Sequence, residues 1–385
     1  MENFEFCVPT NIFFGKGQIS NLPGVIGGFG RKVLLAYGGG SVKKMGLYDK
    51  VKALLADCEI YELSGIAPNP RVESVRAGVA LCREHDIDVI LAVGGGSVID
   101  CCKGIAAAFY YDGDAWDMIA SHAEIAQALP IVTILTAAAT GSEADFGAVI
   151  TNPETNEKLG LNSAALFPKV SILDPEYTFT VPAKQTAAGS IDILSHLMEQ
   201  YFVPASTYMS DLLVEAVMKT VVKYASIAYK EPDNYEARAQ LMWASTIADN
   251  ATLCNGNQLV AFSCHGIEHE LSAYYDVTHG VGLAIITPRW MEYVLSDTTA
   301  PRFAHFGKAV FGVEGGDDME SAKLTIQALV DFFKSLDVPM SFKALGVGSE
   351  HFDDMAAHAV EAEGLAYAWI PLEAKDVKAI YEMCL

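Results

Sequence analysis

Basic residues are the scarce class in this chain. Its 26 Lys and Arg stand against 48 Asp and Glu, giving a formal charge of −22 and a pI of about 4.7. So little cationic surface excludes a nucleic-acid partner and an anionic-membrane partner, since nothing would displace counterions from phosphate. Long apolar runs are missing as well, because the stretch ahead of Thr140 is broken by Gln127, Pro130 and Thr133. The eight cysteines, at 7, 58, 82, 101, 102, 254, 264 and 384, form no CxxC pair. They read as reduced core thiols rather than a disulfide framework. Residues 1–7 are acidic, without a basic-then-apolar leader. The expectation is a cytoplasmic protein without repeats or low-complexity tracts.

What is abundant is apolar content, 51% of 385 residues, enough for two cored domains. The first half alternates short apolar runs with helical periodicity. Strands are expected at Lys32–Tyr37, Glu59–Leu63, 89–93, Ile131–Leu135 and Val170–Leu173, with helices between them, as at 99–108. Continuous apolar runs in place of period-2 alternation indicate a buried parallel sheet. Past Pro182 the pattern turns helical, with long windows at 187–202, 210–229 and 235–253. The fold class is therefore an α/β N-terminal domain with a parallel sheet, 1–178, followed by an all-helical domain, 179–385.

Two glycine clusters sit where strands end. Gly94, Gly95, Gly96 and Ser97 leave a strand and open a helix, whose backbone N–H groups and dipole suit a pyrophosphate. The spacing is not GxGxxG, so the site is not a standard Rossmann fingerprint. Gly38, Gly39, Gly40 and Ser41 follow Tyr37, with Lys43 and Lys44 and no acid behind them. That composition leans toward NADP over NAD, because an acid there would hold the ribose 2′-hydroxyl. In the helical half, Asp192 and His196 stand four apart, as do His265 and His269, and His279 follows. Residues four apart share a helix face, and imidazole with carboxylate suits a divalent ion such as Fe²⁺ or Zn²⁺. The same letters, His265-Gly266-Ile267-Glu268-His269, also match the H-x-x-E-H pattern of zinc peptidases, with Glu268 as general base.

Taken together, the chain resembles the iron-containing alcohol dehydrogenase family, which shares its fold with glycerol dehydrogenase and dehydroquinate synthase. The likeness runs over essentially the whole chain. It includes Phe13-Phe14-Gly15-Lys16-Gly17, Pro68-Asn69-Pro70, Gly94 to Ser97 with Asp100 and Lys103, Ala139-Thr140-Gly141-Ser142-Glu143, Asp192 with His196, and His279-Gly280 leading to Pro288. It is nearest the butanol dehydrogenase and broad-specificity aldehyde reductase branch. The resemblance implies iron or zinc on Asp192, His196, His265 and His279, with His269 near the nicotinamide as a proton relay. It implies a dinucleotide on Gly95, Gly96, Ser97 and Asp100, with Thr136 and Thr140 lining the ribose and nicotinamide end, Lys158 reaching the cofactor from the next strand, and Gly39, Ser41 and Lys44 around the adenosine ribose. The implied reaction passes a hydride between NAD(P)H and a short-chain aldehyde or primary alcohol, in a homodimer. A polyol dehydrogenase of the same fold and a non-catalytic nucleotide-and-metal binder are the alternatives. Ala138 and Thr278 stand where the family commonly has proline, a departure that touches loop shape rather than ligands.

Overall fold

Val89–Gly94 is buried at every residue, which is what a strand covered on both faces requires. In the computed structural model, which describes residues 1–385, this strand, β4, lies inside a six-stranded parallel sheet. The others are β1 (Asn11–Phe14), β2 (Lys32–Tyr37), β3 (Glu59–Leu63), β5 (Ile131–Leu135) and β8 (Val170–Leu173), in the order β1-β8-β5-β4-β2-β3. Register is set by apolar partners, Leu35 beside Leu91 and Ile90 beside Ile131. The five strands read from the sequence are all present. The structure adds β1 at the sheet edge and an antiparallel hairpin of β6 (Gly147–Asn152) and β7 (Glu157–Asn162). Four residues are too few for a periodic signal, and Thr151, Asn152 and Lys158 make the hairpin look polar although all three are buried.

The chain divides into two units. One comprises Cys7–Pro182 with Pro232–Asn250; the other comprises Met1–Phe6, Ala183–Glu231 and Ala251–Leu385. The linear division at 178 is thus replaced by a discontinuous one. The Tyr235–Ala248 helix, capped by the Asn234 side chain, belongs with the sheet. Its Thr246 hydroxyl donates to Glu143 at 2.6 Å, and its Trp243 ring meets Phe14 edge-on at 5.9 Å. Helical periodicity alone says nothing about which core a helix joins.

In the helical unit, the Ala183–Tyr201 helix is buried from Thr186 to Tyr201 and packs against Tyr208–Lys230 and His279–Val294. Close approach needs glycine: a Cβ at Gly280 would lie 2.0 Å from the Ala188 carbonyl oxygen. No helix is long and apolar enough to cross a membrane.

Candidate nucleotide and metal sites

Because β2, β4 and β5 are parallel neighbours, the loops leaving their C-terminal ends share one edge of the sheet. Those loops carry most of the residues expected to meet a dinucleotide. Gly95, Gly96 and Ser97 start the Gly96–Ala108 helix, and no side chain caps it, leaving its N-terminus for an anion. Thr136 donates its N–H to Gly94 at 2.9 Å. Thr140 closes on the loop so tightly that a Cβ at Gly96 would lie 2.3 Å from its Oγ1. Gly39, Ser41 and Lys44 are exposed at the end of β2.

Two further members of the predicted set are Asp100, on the Gly96–Ala108 helix, and Lys158, on β7. Asp100 turns inward, accepting from the Ser142 hydroxyl at 2.6 Å and the Val149 N–H at 3.1 Å. Burial pushes its carboxyl up to about 6. These contacts tie the start of the Gly96–Ala108 helix to the Thr140 loop and to β6. Lys158 is buried on β7, opposite Thr151. Near Lys43 there is an acid that a reading of residues after Tyr37 misses. Glu62, on β3, accepts from Tyr37 at 2.8 Å, Tyr48 at 2.7 Å and Lys52 at 3.2 Å. Against burial, those three donors hold its carboxyl below the usual range. Lys43 rests over the Tyr37 and Tyr48 rings, 5.1 and 4.7 Å from their centroids.

The second site is built inside the helical unit. Asp192 and His196 come from Ala183–Tyr201, His265 and His269 from Ser263–Tyr275, and His279 is the first residue of His279–Val294. Around Asp192 Oδ1 stand His265 Nε2 at 3.7 Å, His279 Nε2 at 3.6 Å and His196 Nδ1 at 3.7 Å. These spans are too long for hydrogen bonds and suit donor atoms sharing one ion. Asp192 Oδ1 and His265 Nε2 are buried without a hydrogen-bond partner, an arrangement that costs free energy unless a cation completes it. Burial works against the Asp192 carboxylate, yet His196, His279 and His265 together hold its pKa far below the ordinary range. Oxygen and imidazole donors fit Fe²⁺ or Zn²⁺. Asp192, His265 and His279 bring their ligand atoms within 4.8 Å of one another. His196 lies alongside, its ring centroid 4.3 Å from that of His265, and presents Nδ1 to the cluster.

Sequence reasoning missed the role of the carboxylates behind the histidines, having met Glu268 only as the general base of a peptidase pattern. Glu199 pairs with His265 Nδ1 and also accepts the Cys264 N–H at 2.6 Å. Glu268 pairs with His279 Nδ1 and accepts the Ser272 hydroxyl at 2.6 Å. Each pairing turns the opposite nitrogen, Nε2, toward Asp192, the arrangement that orients metal-bound imidazoles. Glu199 is three residues past His196 and Glu268 three past His265, so helical spacing could have found both. Glu268 is fully buried, and a Cβ at Gly282 would sit 2.5 Å from its Oε1. A carboxylate so enclosed does not activate water, and the peptidase pattern is a coincidence of letters.

A nucleotide-binding sheet edge and a buried Asp–His cluster define a metal- and dinucleotide-dependent enzyme. The model for iron-containing alcohol dehydrogenase matches residues 9–175, and that for the Fe-containing alcohol dehydrogenase family, C-terminal, matches residues 186–385. The chain belongs to the iron-containing alcohol dehydrogenase family and is an oxidoreductase. Within it, the chain is 48% identical to NADH-dependent butanol dehydrogenase A of Clostridium acetobutylicum, over 99% of both chains. It is 39% identical to the NADPH-dependent aldehyde reductase YqhD of Escherichia coli, over 90% of each. The crystal structure of NADH-dependent butanol dehydrogenase A from Thermotoga maritima superposes with a TM-score of 0.95 at 41% identity, covering 100% of this chain and 99% of that one. Neither a polyol dehydrogenase nor a non-catalytic binder is favoured by these likenesses.

Proposed function

We propose that the chain reduces short-chain aldehydes to primary alcohols with NAD(P)H, and runs the reverse reaction when alcohol and oxidised cofactor prevail. The observation that carries this is the convergence of imidazole nitrogens on Asp192 Oδ1, in a chain of this family. Asp192, His265 and His279 hold the ion, with His196 as the fourth ligand. Bound there, Fe²⁺ or Zn²⁺ supplies Lewis acidity toward a carbonyl oxygen. Gly95, Gly96 and Ser97 hold the pyrophosphate by their backbone, and Thr136 and Thr140 shape the loop beyond it. His269 returns the proton that the alcohol oxygen needs after hydride arrives.

Glu62 and the two lysines pull the cofactor choice in opposite directions. Lys43 and Lys44 favour a 2′-phosphate, whereas Glu62 opposes one. We read the chain as accepting both NADPH and NADH. The same reading places it in the cytoplasm as a homodimer; the first is supported by its free cysteines, six of them buried, and the second by the family likeness.

The test is oxidation of NADPH and NADH with butyraldehyde, before and after chelation and with Fe²⁺ or Zn²⁺ restored. Metal-dependent turnover supports the reading, and no turnover with any metal overturns it. His265→Ala should lose metal and activity together, whereas His269→Ala should keep its metal and slow turnover. Metal loss from the His269 variant would mean that the division between ligand and relay is wrong.

A further inference from the structure

Four histidines of the helical unit present Nδ1 to a carboxylate; the rings of three, His265, His279 and His269, neighbour one another, but their three carboxylates differ. Glu199 and Glu268 are sealed, with side chains 5% and 0% exposed, and each orients a residue of the Asp192 cluster. The third, Glu363, is 24% exposed and pairs with His269 Nδ1 at 2.7 Å. It comes from 94 residues away in the chain. Its backbone is fixed at the end of the Phe352–Ala362 helix, where its N–H donates to Ala359 at 3.2 Å. Gly364 follows with φ +65°, a conformation that ends the helix cleanly at glycine. Gly266, one helical turn before His269, clears the approach: a Cβ there would lie 2.7 Å from the Glu363 Cβ.

We propose that Glu363 is a positioning residue for the reaction, holding His269 in the tautomer with its hydrogen on Nδ1. Nε2 is then the nitrogen left to take up a proton from water and pass it to the alcohol oxygen, which returns the ring to the neutral Nδ1–H form; the His269 ring stands 5.5 Å from that of His279 and 6.4 Å from that of His265. A histidine free to exchange tautomers spends part of its time with the wrong nitrogen protonated; an acceptor at Nδ1 removes that loss. The proposal rests on His269 serving the reaction described above. It differs from a purely structural tie, for which the molecule supplies its own comparison. Glu270 and His358 pair at 2.7 Å between the same two helices, Ser263–Tyr275 and Phe352–Ala362.

The experiment compares Glu363→Ala, Glu363→Gln and His358→Gln with the wild type. Readouts are metal content, KM, kcat and the side-chain ¹⁵N shifts of His269 in protein labelled at histidine. Glu363→Ala should keep its metal and its KM for aldehyde, lose kcat by roughly 10- to 100-fold, and show a mixed tautomer at His269. Glu363→Gln keeps an acceptor oxygen and should recover kcat to within a few-fold, with the Nδ1–H tautomer restored. His358→Gln should change thermal stability alone. An unchanged tautomer in Glu363→Ala, or a kcat loss no larger than that of His358→Gln, overturns the proposal. Wild type that binds metal and shows the Nδ1–H tautomer but turns over no aldehyde would overturn the assigned reaction, while the tautomer comparison still decides what Glu363 does to His269.

Discussion

Glu143 offers a sharp prediction because it is buried under the Thr140 loop and takes no part in either site. Its Oε1 accepts from Thr246, its Oε2 has no partner, and the residue is 1% exposed. Burial pushes its carboxyl from 4.5 up to about 7, more than the Thr246 hydrogen bond pulls it down. The native state therefore binds its proton more tightly than the unfolded chain does. The associated stability is fully present below the unfolded value and is lost as pH rises toward 7. A separation of about 2.5 pH units, at ~1.36 kcal/mol each, amounts to about 3 kcal/mol. Glu143→Gln keeps the shape and removes the titration. An unfolding entropy of ~2.1 cal/mol/K per residue gives ~0.8 kcal/mol/K for the whole chain, so the effect corresponds to roughly 4 °C. Melting temperatures of both proteins should be taken from about pH 5 to about pH 8. The Gln variant should gain about 3 to 4 °C on the wild type across that range, whatever constant offset separates them. A difference that stays flat with pH, or one that runs the other way, refutes the reasoning.

Gly96→Ala would place a methyl 2.3 Å from Thr140 Oγ1. Dinucleotide affinity measured by titration calorimetry should fall at least ~10-fold with the fold intact, and an unchanged Kd would clear Gly96 of a role in the phosphate loop. Lys103, fully buried, donates to Asp145 at 2.6 Å and to the Gly147 carbonyl at 2.7 Å. Lys103→Met leaves that carboxylate without its cation and should cost about 3–5 kcal/mol by chemical denaturation; a loss below about 1 kcal/mol would mean that Asp145 finds another partner or takes up a proton.

How much of this was legible in the sequence depends on where each signal is stored. Val89–Gly94 and Ile131–Leu135 are buried along their whole length, so their apolar runs announce them. β1 is four residues long with its two ends exposed, and nothing local distinguishes it from loop. Spacing found Asp192 with His196 and His265 with His269 because each pair is a property of one helix. It could not find Glu363, which reaches His269 from another helix, nor Glu62, which reaches Tyr37 from the neighbouring strand. That second omission weakens any cofactor argument made only from residues that follow β2. The acid sits in register with Leu35, supplied by strand pairing rather than by chain order.

The limit is finer at the histidines themselves. Spacing can nominate an imidazole but not one of its two nitrogens, and the chemistry depends on the nitrogen. At His265 and His279 the choice is made by Glu199 and Glu268, which occupy Nδ1 and leave Nε2 for the Asp192 cluster. Both acids are buried among apolar helix faces, where a carboxylate is costly unless its hydrogen bonds are met. An acid at helical spacing from a candidate ligand, on a face that should be apolar, is therefore itself a readable sign. In this chain that sign falls on Glu199 and Glu268, the two acids that set which nitrogen each histidine turns toward Asp192.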